Sequence, residues 1–197
     1  MALTKVAEAV LLALQSIASN SFVVGGAIDV STYYAADVKI RMGRGTGTAF
    51  TIGPRARLEV SYVASPTADD WVSAAEFQMA IGATIGSQAV SGTEAAGQTV
   101  VTLAAGTNFA AGDYVFFHNT TIGNSEWCRV SSVAAADLTL EEGLVAAQTG
   151  STCRDQSEQY HAVLDVTSVQ RMRLVVDGAG SGQAVICEAT FGAVTAL

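Results

Sequence analysis

The sequence is poor in charged residues. Of its 197 residues only 14% are Asp, Glu, Lys or Arg, against roughly 25% in an average soluble domain. Ser, Thr, Gly, Ala and Gln must therefore cover much of the surface. Such a surface is either adhesive or covered by a partner, although the same composition also fits an ordinary domain from an Ala-rich proteome.

Basic residues are too few for general nucleic-acid binding, because the net charge is −8 and binding to phosphates needs a basic surface. The charge is also unevenly spread. Residues 1–57 carry six basic and three acidic residues, whereas residues 83–157 carry seven acidic and two basic ones. Regions of opposite sign suit contacts between copies of the chain; random scatter is the alternative interpretation.

Histidine is scarce, and this bears on catalysis. Nucleophilic catalysis by Ser or Cys usually needs a neighbouring base, most often His. The two histidines, His118 and His161, are expected in different domains. No GxSxG, CxxC, HxxxH or EF-hand pattern occurs, and these are common signatures of hydrolases and metal sites. We therefore predict that the chain is not an enzyme and has no catalytic, cofactor-binding or metal-binding residues and no cofactor.

Three local patterns are similar to ligand sites. The adjacent carboxylates Asp69-Asp70 and Glu141-Glu142 would bind Ca²⁺ only in loops, and a solvated turn is the better interpretation because Ca²⁺ needs many ligands. Residues Gly43–Gly47 (GRGTG) are similar to a phosphate loop. They lack the GK[ST] ending and a following helix, so phosphate binding is not predicted.

Two tryptophans leave a carbohydrate-binding module as an alternative function. An exposed aromatic ring on a β-sandwich can serve as a platform for a sugar. Trp71 precedes an alternating segment and is expected to anchor a core, since Trp is largely buried on average. Trp127 is the other candidate platform.

Cysteine occurs three times, at Cys128, Cys153 and Cys187, and a disulfide framework usually uses an even number. All three lie beside apolar residues, which favours small buried side chains. A Cys128–Cys153 disulfide is the alternative, but the reducing cytosol disfavours it.

The first residues are predicted to form a helix. Leu3, Val6, Val10, Leu14 and Ile17 recur at helical spacing on one face. The segment is similar to a secretory signal, but a charged residue at position 8 interrupts its apolar run, so we expect a retained helix or arm over residues 1–19. The run is too short to span a membrane, and its apolar face needs a cover from its own sheet or from a neighbouring subunit.

After residue 20 the pattern changes to period 2, which is typical of strands. In residues 37–42 Val38, Ile40 and Met42 point to one side, and in residues 55–62 Leu58 and Tyr62 are among the inward positions. A turn at Gly178–Gly182 is expected to join the last two strands as a hairpin. Strands are predicted within residues 21–31, 37–42, 55–62, 71–81, 99–103, 114–118, 127–133, 138–140, 160–166, 171–176 and 183–191. Residues 83–98 are expected to be a linker, and residues 149–155 a loop.

These elements predict a mainly β fold. Residues 20–82 together with 158–197 are expected to form an outer domain like a β-sandwich or jelly roll. Residues 83–157 are expected to be an inserted small module like a β-barrel, since an insertion at a surface loop adds little closure entropy. Residues 1–19 are the N-terminal helix or arm.

The inserted segment resembles a known kind of module. Ala111–Phe116 (AGDYVF), Glu126–Val133 (EWCRVSSV) and Leu138–Leu144 (LTLEEGL) are similar to a small β module of structural proteins of tailed bacteriophages. The end of the chain, Phe191–Leu197 (FGAVTAL), and the surface rich in Ala, Gly and Thr are also similar to such proteins.

The resemblance implies a structural virion protein, with a capsid decoration or cement protein that stabilises the shell as a homo-oligomer as the main candidate. It implies contacts with its own copies and with the major capsid protein or other virion proteins. It implies no direct contact with nucleic acid or membrane, and a location in the virion after assembly in the host cytoplasm. A tail-tube or neck protein is the alternative within this class, and a carbohydrate-binding β-sandwich module the alternative outside it.

Overall fold

The computed structural model describes residues 3–46, 50–81, 86–106, 108–155, 157–178, 180 and 184–196, with side chains from residue 8 to residue 195. The chain is mostly β, with 56% of its residues in strands and 3% in helical turns, so the prediction of a mainly β fold is confirmed. Two 3₁₀ turns, Ala68–Asp70 and Ile122–Asn124, lie between strands. The strands are β1 (Leu3–Ile17), β2 (Phe22–Val24), β3 (Ile28–Asp29), β4 (Ala35–Arg44), β5 (Arg55–Ser61), β6 (Val72–Gln78), β7 (Ser87–Ala89), β8 (Thr93–Glu94), β9 (Val100–Thr102), β10 (Tyr114–His118), β11 (Glu126–Ala134), β12 (Asp137–Leu140), β13 (Gln148–Thr149), β14 (Thr152–Arg154), β15 (Glu158–Asp165), β16 (Arg171–Asp177) and β17 (Val185–Ala196).

Two antiparallel sheets pack face to face as a β-sandwich. The first sheet has the order β1-β17-β4-β15, and the second has the order β2-β16-β5-β6, with β3 also paired to β16. Both sheets contribute to one apolar core, which is the arrangement of a sandwich. This core contains Leu11, Leu12, Ile17, Val30, Ala36, Val38, Ile40, Met42, Phe50, Ala56, Leu58, Val60, Met79, Val166, Val169, Met172, Leu174, Val176, Val185, Cys187, Ala189, Phe191 and Ala193.

The period-2 pattern of the central strands follows from this packing, because successive side chains of a strand point to opposite faces. Val38, Ile40 and Met42 of β4 are fully buried, as predicted. In β5 Leu58 is buried as well, but the inward assignment of Tyr62 is wrong. β5 ends one residue earlier, and the Tyr62 side chain is largely exposed.

The predicted N-terminal helix is wrong, because this segment is the 15-residue strand β1. It pairs antiparallel with β17 along its length, and at three places β1 carries one residue more than its partner. Such bulges break the strict alternation of a strand. Leu11 and Leu12 are both buried, whereas Val10 is 65% exposed. The disturbed spacing imitates a helical period, and pairing with β17 overrides the helix propensity of the Ala- and Leu-rich sequence.

The predicted hairpin between the last two strands is also wrong. β16 lies between β2 or β3 and β5 in the second sheet, whereas β17 lies between β1 and β4 in the first. The connection, of which residues 179 and 181–183 lie outside the described residues, therefore crosses from one sheet to the other. A side chain at Gly178 would collide with the carbonyl oxygen of Ala18, so glycine serves this close approach rather than a hairpin turn.

Residues 83–157, called here the inserted segment, contain a six-stranded sheet with the order β7-β14-β10-β11-β12-β9 and a two-stranded ribbon of β8 and β13. Within the described residues these strands pair only with one another. They enclose a second apolar core of Val90, Val101, Leu103, Phe109, Val115, Phe117, Val130, Leu138, Leu140, Leu144 and Cys153. The division of the chain into separate domains stays a prediction.

Two irregular regions of the inserted segment are more ordered than predicted. The expected linker at residues 83–98 contains β7 and β8, although residues 82–85 lie outside the described residues. The expected loop at residues 149–155 contains β14 and the end of β13. These strands have two or three residues each, so they are too short to show a period in the sequence.

A buried polar network supports these short strands. Gln148 is fully buried, and its side-chain amide donates to the Glu126 carboxylate at 2.7 Å and to the Asn124 carbonyl at 2.9 Å. Its amide oxygen accepts from the Ser151 hydroxyl at 2.7 Å. Asn119 donates to the same hydroxyl at 3.0 Å. These side chains supply the hydrogen bonds that long ladders provide elsewhere.

Candidate functional site

Buried charge is concentrated where the inserted segment meets the sandwich. Arg44, at the end of β4, is fully buried, and its guanidinium lies 4.8 Å from the ring centroid of Phe50. From the inserted segment, Arg154 donates to the Arg44 carbonyl at 3.2 Å, and its Nη1 lies 2.7 Å from Nδ1 of His118. Burial, followed by the charge of Arg154, lowers the pKa of His118. His118 is therefore suited to act as a neutral hydrogen-bond acceptor at this junction.

Asp155 is the acidic member of the junction. Its carboxylate is buried, and burial raises its pKa to about 6, while a backbone hydrogen bond from Gly86 and the charge of Arg44 favour the ionised form. Phe116 of β10 packs so closely on β4 that a side chain at Gly43 would lie 3.3 Å from it. In the described residues the two regions thus meet through charged groups and aromatic side chains, and their apolar cores are separate.

The two histidines do not come together. His118 lies at the junction on β10, whereas His161 lies on β15, on the outer face of the first sheet, where its Nε2 contacts the Asp37 carboxylate at 2.5 Å. Within the described residues neither ring is hydrogen-bonded to a Ser or Cys side chain. The geometry that a Ser- or Cys-dependent hydrolase requires is therefore not present in this part of the chain.

Both tryptophan rings are partly covered by their own chain. The guanidinium of Arg173 lies 4.0 Å from the ring centroid of Trp71. Trp127 packs against Phe116 with 4.5 Å between ring centroids, and the guanidinium of Arg41 lies 6.0 Å from its centroid. A sugar platform needs an open ring face. The prediction that Trp71 anchors the sandwich core is wrong in detail, since its ring supports a cation on the outer face of the second sheet.

The adjacent carboxylates have structural contacts. Asp70 accepts hydrogen bonds from the backbone and the hydroxyl of Thr67, both at 2.7 Å, and these bonds lower its pKa. Glu141 pairs with Arg129 at 3.4 Å. Among the described residues no group of three or more His, Cys, Asp or Glu side chains is placed to hold a metal ion. The described helical segments include none long and apolar enough to cross a membrane.

The glycine-rich segment GRGTG does not form a phosphate loop over its described part. Gly43 belongs to β4, and the Gly45 N–H donates to the Ala184 carbonyl at 2.9 Å, which continues the contact with the β17 side of the first sheet. Gly47 lies outside the described residues.

The cysteines are free thiols. Cys128 and Cys153 pair with Val115 and Phe117 on opposite sides of β10. The two strands that flank β10 are separated by about 9–10 Å, which exceeds the span of a disulfide. Burial raises the pKa of Cys128 to about 12 and that of Cys153 well above its usual value, so neither thiol is activated as a nucleophile.

One side of the sandwich is an open edge that sequence reasoning missed. In the part of the chain that the structure describes, β15 pairs only with β4, and β6 pairs only with β5. β15 and β6, the edge strands of the two sheets on this side, lie beside each other. The rings of Phe77 and Tyr160 are 5.1 Å apart, and the Ala80 N–H donates to the Glu158 carboxylate at 2.8 Å. On this side both sheets end in strands with unpaired backbone groups.

The open edge is also apolar. Tyr160, Ala162 and Leu164, the inward side chains of β15, are only half-buried although they pack on the core. Val163, on the outer face of β15, is 66% exposed, and Val72 of β6, which lies opposite the core residue Val60, is 54% exposed. The alternation of EQYHAVLD (residues 158–165) predicts a strand. Its position at an edge is a property of the topology and leaves no local signal.

The fold and the site together define a β-sandwich protein with an inserted β segment, a polar junction and one open apolar edge. No protein-family model matches the chain, and no curated protein matches it. Among solved structures, it is similar to the tailspike gp61 of Pseudomonas phage phi297, at 20% identity and a TM-score of 0.32, over 36% of this chain and 14% of the tailspike.

Two further solved structures match over most of their length. One is YomS, a protein derived from the SPBc2 prophage, at 7% identity and a TM-score of 0.35, over 99% of this chain and 96% of YomS. The other is VP17, a capsid protein of bacteriophage P23-77, at 9% identity and a TM-score of 0.21, over 100% of both chains. At TM-scores this low, the likenesses support no conclusion about this chain.

Proposed function

We propose that this chain is a non-enzymatic structural protein of a bacteriophage particle, and that it acts as a capsid decoration or cement protein. The observation that carries the proposal is the open apolar edge formed by β6 and β15. Soluble monomers normally block such edges with charge, proline or a covering segment. On this edge large apolar side chains such as Val163 and Val72 are exposed beside the charged residues Asp165 and Glu76. A chain of this kind is suited to be covered by neighbours in an assembly.

Apolar edges rather than charge are proposed to supply these contacts. On the outer face of the second sheet the arginines are paired within the chain: Arg173 with Glu59 at 2.8 Å, and Arg171 with the Asp29 carboxylate at 3.3 Å. Glu59 is buried, whereas the Arg171–Asp29 pair is more exposed, and exposed ion pairs contribute little and are screened by salt. Among the basic residues of 1–57, Arg41 pairs with Glu188 at 2.7 Å, Arg55 with Glu76 at 3.6 Å and Arg57 with Glu59 at 3.8 Å. Part of this positive charge is thus compensated locally, which favours close packing with neighbours over long-range attraction.

The proposed partners are further copies of the chain and the major capsid protein or other virion proteins. The net charge of −8 argues against direct contact with the packaged nucleic acid. The proposed location is the virion, after assembly in the host cytoplasm. The resemblance of the inserted segment to modules of tailed-phage structural proteins supports the same assignment.

The test is to locate the chain in purified particles. Mass spectrometry of intact virions should find it at tens to hundreds of copies, and electron microscopy should place it on the outer surface of the shell. Absence from purified virions would contradict a structural role. Location in stacked rings along the tail would contradict decoration and favour the tail-tube alternative.

A further inference from the structure

β15 offers an edge of eight residues, Glu158–Asp165, beside which the structure describes no second strand. Its side chains alternate strictly between half-buried and exposed along its whole length. An unpaired edge with regular alternation is a template for one more strand. The question is which strand has a complementary pattern.

Geometry restricts how β15 can pair with its own copy. Opposite residues of an antiparallel pair point to the same face of the sheet. If the sheet is to continue with its inner face still directed to the core, inward residues must meet inward residues. A two-fold axis must therefore pass through a residue of β15 and cannot pass between two residues. The central candidates are Ala162 and His161.

The axis at Ala162 gives the more complementary pairing. On the inner face Tyr160 lies opposite Leu164 of the second copy, and the small Ala162 side chains meet at the axis. On the outer face His161 lies opposite Val163, and Gln159 lies opposite Asp165. Aromatic and aliphatic pairs stabilise a sheet, and a Gln amide can donate to a carboxylate.

The axis at His161 gives a poorer match. It places His161 opposite His161 of the second copy, and it places Tyr160 opposite Ala162 instead of Leu164. It also places the Glu158 carboxylate opposite the apolar Leu164. The large apolar side chains of the inner face would then lose their partners, so this register leaves the edge less well covered.

We propose that β15 pairs with β15 of a second copy, antiparallel and on a two-fold axis at Ala162, so that the first sheet runs without interruption through a dimer. The inference rests on the proposed function, for which it names the surface between copies. A two-fold pairing requires that a strand is complementary to the same sequence read in the opposite direction. β15 meets this requirement in the Ala162 register, which favours a second copy over an unrelated strand.

Charge on the outer face agrees with this register. Asp165 is ionised at neutral pH, because hydrogen bonds from the backbone and hydroxyl of Thr167 lower its pKa. In the dimer it faces the neutral Gln159. Two further acids of this face are engaged within their own chain, Asp37 by His161 and Glu188 by Arg41. Like charges therefore do not meet directly across the axis.

Cysteine cross-linking tests the register. In an antiparallel pair opposite Cα atoms lie about 4.5–5.5 Å apart, within the range of a disulfide. Ala162→Cys in the full chain should form a disulfide-linked dimer under mild oxidation, seen on non-reducing gels. His161→Cys is the matched control, because its copies would lie on a diagonal at about 7–8 Å and should cross-link at least tenfold more slowly. Cross-linking of His161→Cys in preference to Ala162→Cys would overturn the register.

A second variant tests the surface without oxidation. Val163→Lys places a charge on the edge, and since Val163 is 66% exposed the fold should persist. Sedimentation should show the dimer of the wild-type chain and at least a tenfold weaker association for Val163→Lys. Val145→Lys, at a side chain 84% exposed on the inserted segment, is the control and should dimerise as the wild type does.

The proposed function and this inference fail in different ways. If the chain is found on the shell but is monomeric, or dimerises equally well with Val163→Lys, the β15 contact is overturned and decoration stands. If the chain dimerises through β15 but is absent from virions, the contact stands as a solution dimer and the proposed function is overturned.

Discussion

β1, β4 and β17 of the sandwich run for 15, 10 and 12 residues, whereas β7, β8 and β13 of the inserted segment have only two or three. Long strands bury one face each in a common apolar core and satisfy their backbone groups in ladders. The inserted segment surrounds a smaller core with strands of two to nine residues and adds buried side-chain hydrogen bonds around Gln148. Between the two lies a junction held by Arg44, Arg154 and Asp155.

The comparison shows that three kinds of stabilisation coexist in one chain. Apolar burial is worth roughly 25 cal/mol per Å² and does not depend on direction. A buried hydrogen-bond network contributes less per bond but costs much when one member is removed. A buried charged junction contributes according to the protonation state of its groups. Each kind predicts a different response to substitution.

The largest effect is expected in the sandwich core. Leu58 is fully buried between the two sheets, so Leu58→Asp would bury a charge that has no partner there. The free energy of unfolding should fall by about 4 kcal/mol or more, which is a large part of the about 5–15 kcal/mol available to a domain. Chemical denaturation measures the change.

The matched control for this prediction is Val145→Asp, on a side chain 84% exposed, which should change stability by less than about 0.5 kcal/mol. Leu58→Asp and Val145→Asp giving equal stability would contradict the sandwich core as described.

A smaller and more local effect is expected in the inserted segment. Gln148→Ala removes the hydrogen bonds to Glu126 and Ser151 and leaves buried polar groups without partners. A loss of about 2–3 kcal/mol is expected. Hydrogen exchange should accelerate at residues 87–154, whereas the central strands β4 and β17 should keep their protection.

Gln15→Ala is the control for this substitution, because its side chain makes only a local, exposed hydrogen bond to the Ala13 carbonyl. If Gln148→Ala accelerated exchange equally in β4 and β17, the sandwich and the inserted segment would unfold as one unit, and the predicted separate domains would be wrong.

The sequence predicts the regular strands of the sandwich better than it predicts β1 or the inserted segment. The alternation of Val38, Ile40 and Met42 in β4 gives strand and inner face together, because a regular ladder preserves period 2. β1 hides this period because three extra residues shift its register against β17. The role of Gln148 depends on residues 119–126 and 148–151 meeting in space, so no local pattern contains it.

The candidate site shows a similar limit. The sequence predicts that residues 160–166 form a strand, but whether a strand is central or last in its sheet depends on the order of all strands. The junction was missed for another reason. Arg44, Arg154 and Asp155 are ordinary surface residues by composition, and only the docking of the inserted segment on β4 buries them.

The junction provides the smallest and most specific prediction, because two of its groups titrate in opposite senses. Burial raises the pKa of Asp155 to about 6, above the about 3.9 of an unfolded Asp. The folded state then binds this proton more tightly, so Asp155 adds stability as the pH falls from about 7 towards 4. The pKa of His118 is lowered by burial and by Arg154, so His118 removes stability as the pH falls below about 6.5.

The two contributions oppose each other between about pH 7 and pH 5, and single substitutions should separate them. Relative to the wild-type profile, Asp155→Asn should lose about 1 kcal/mol of stability as the pH falls over this range, whereas His118→Gln should change in the opposite direction. Denaturation at both pH values measures this, with the exposed Asp177→Asn as control. If both variants kept the wild-type profile, the junction would respond like an ordinary surface. The contribution of the junction to stability would then be as independent of pH as that of the two apolar cores.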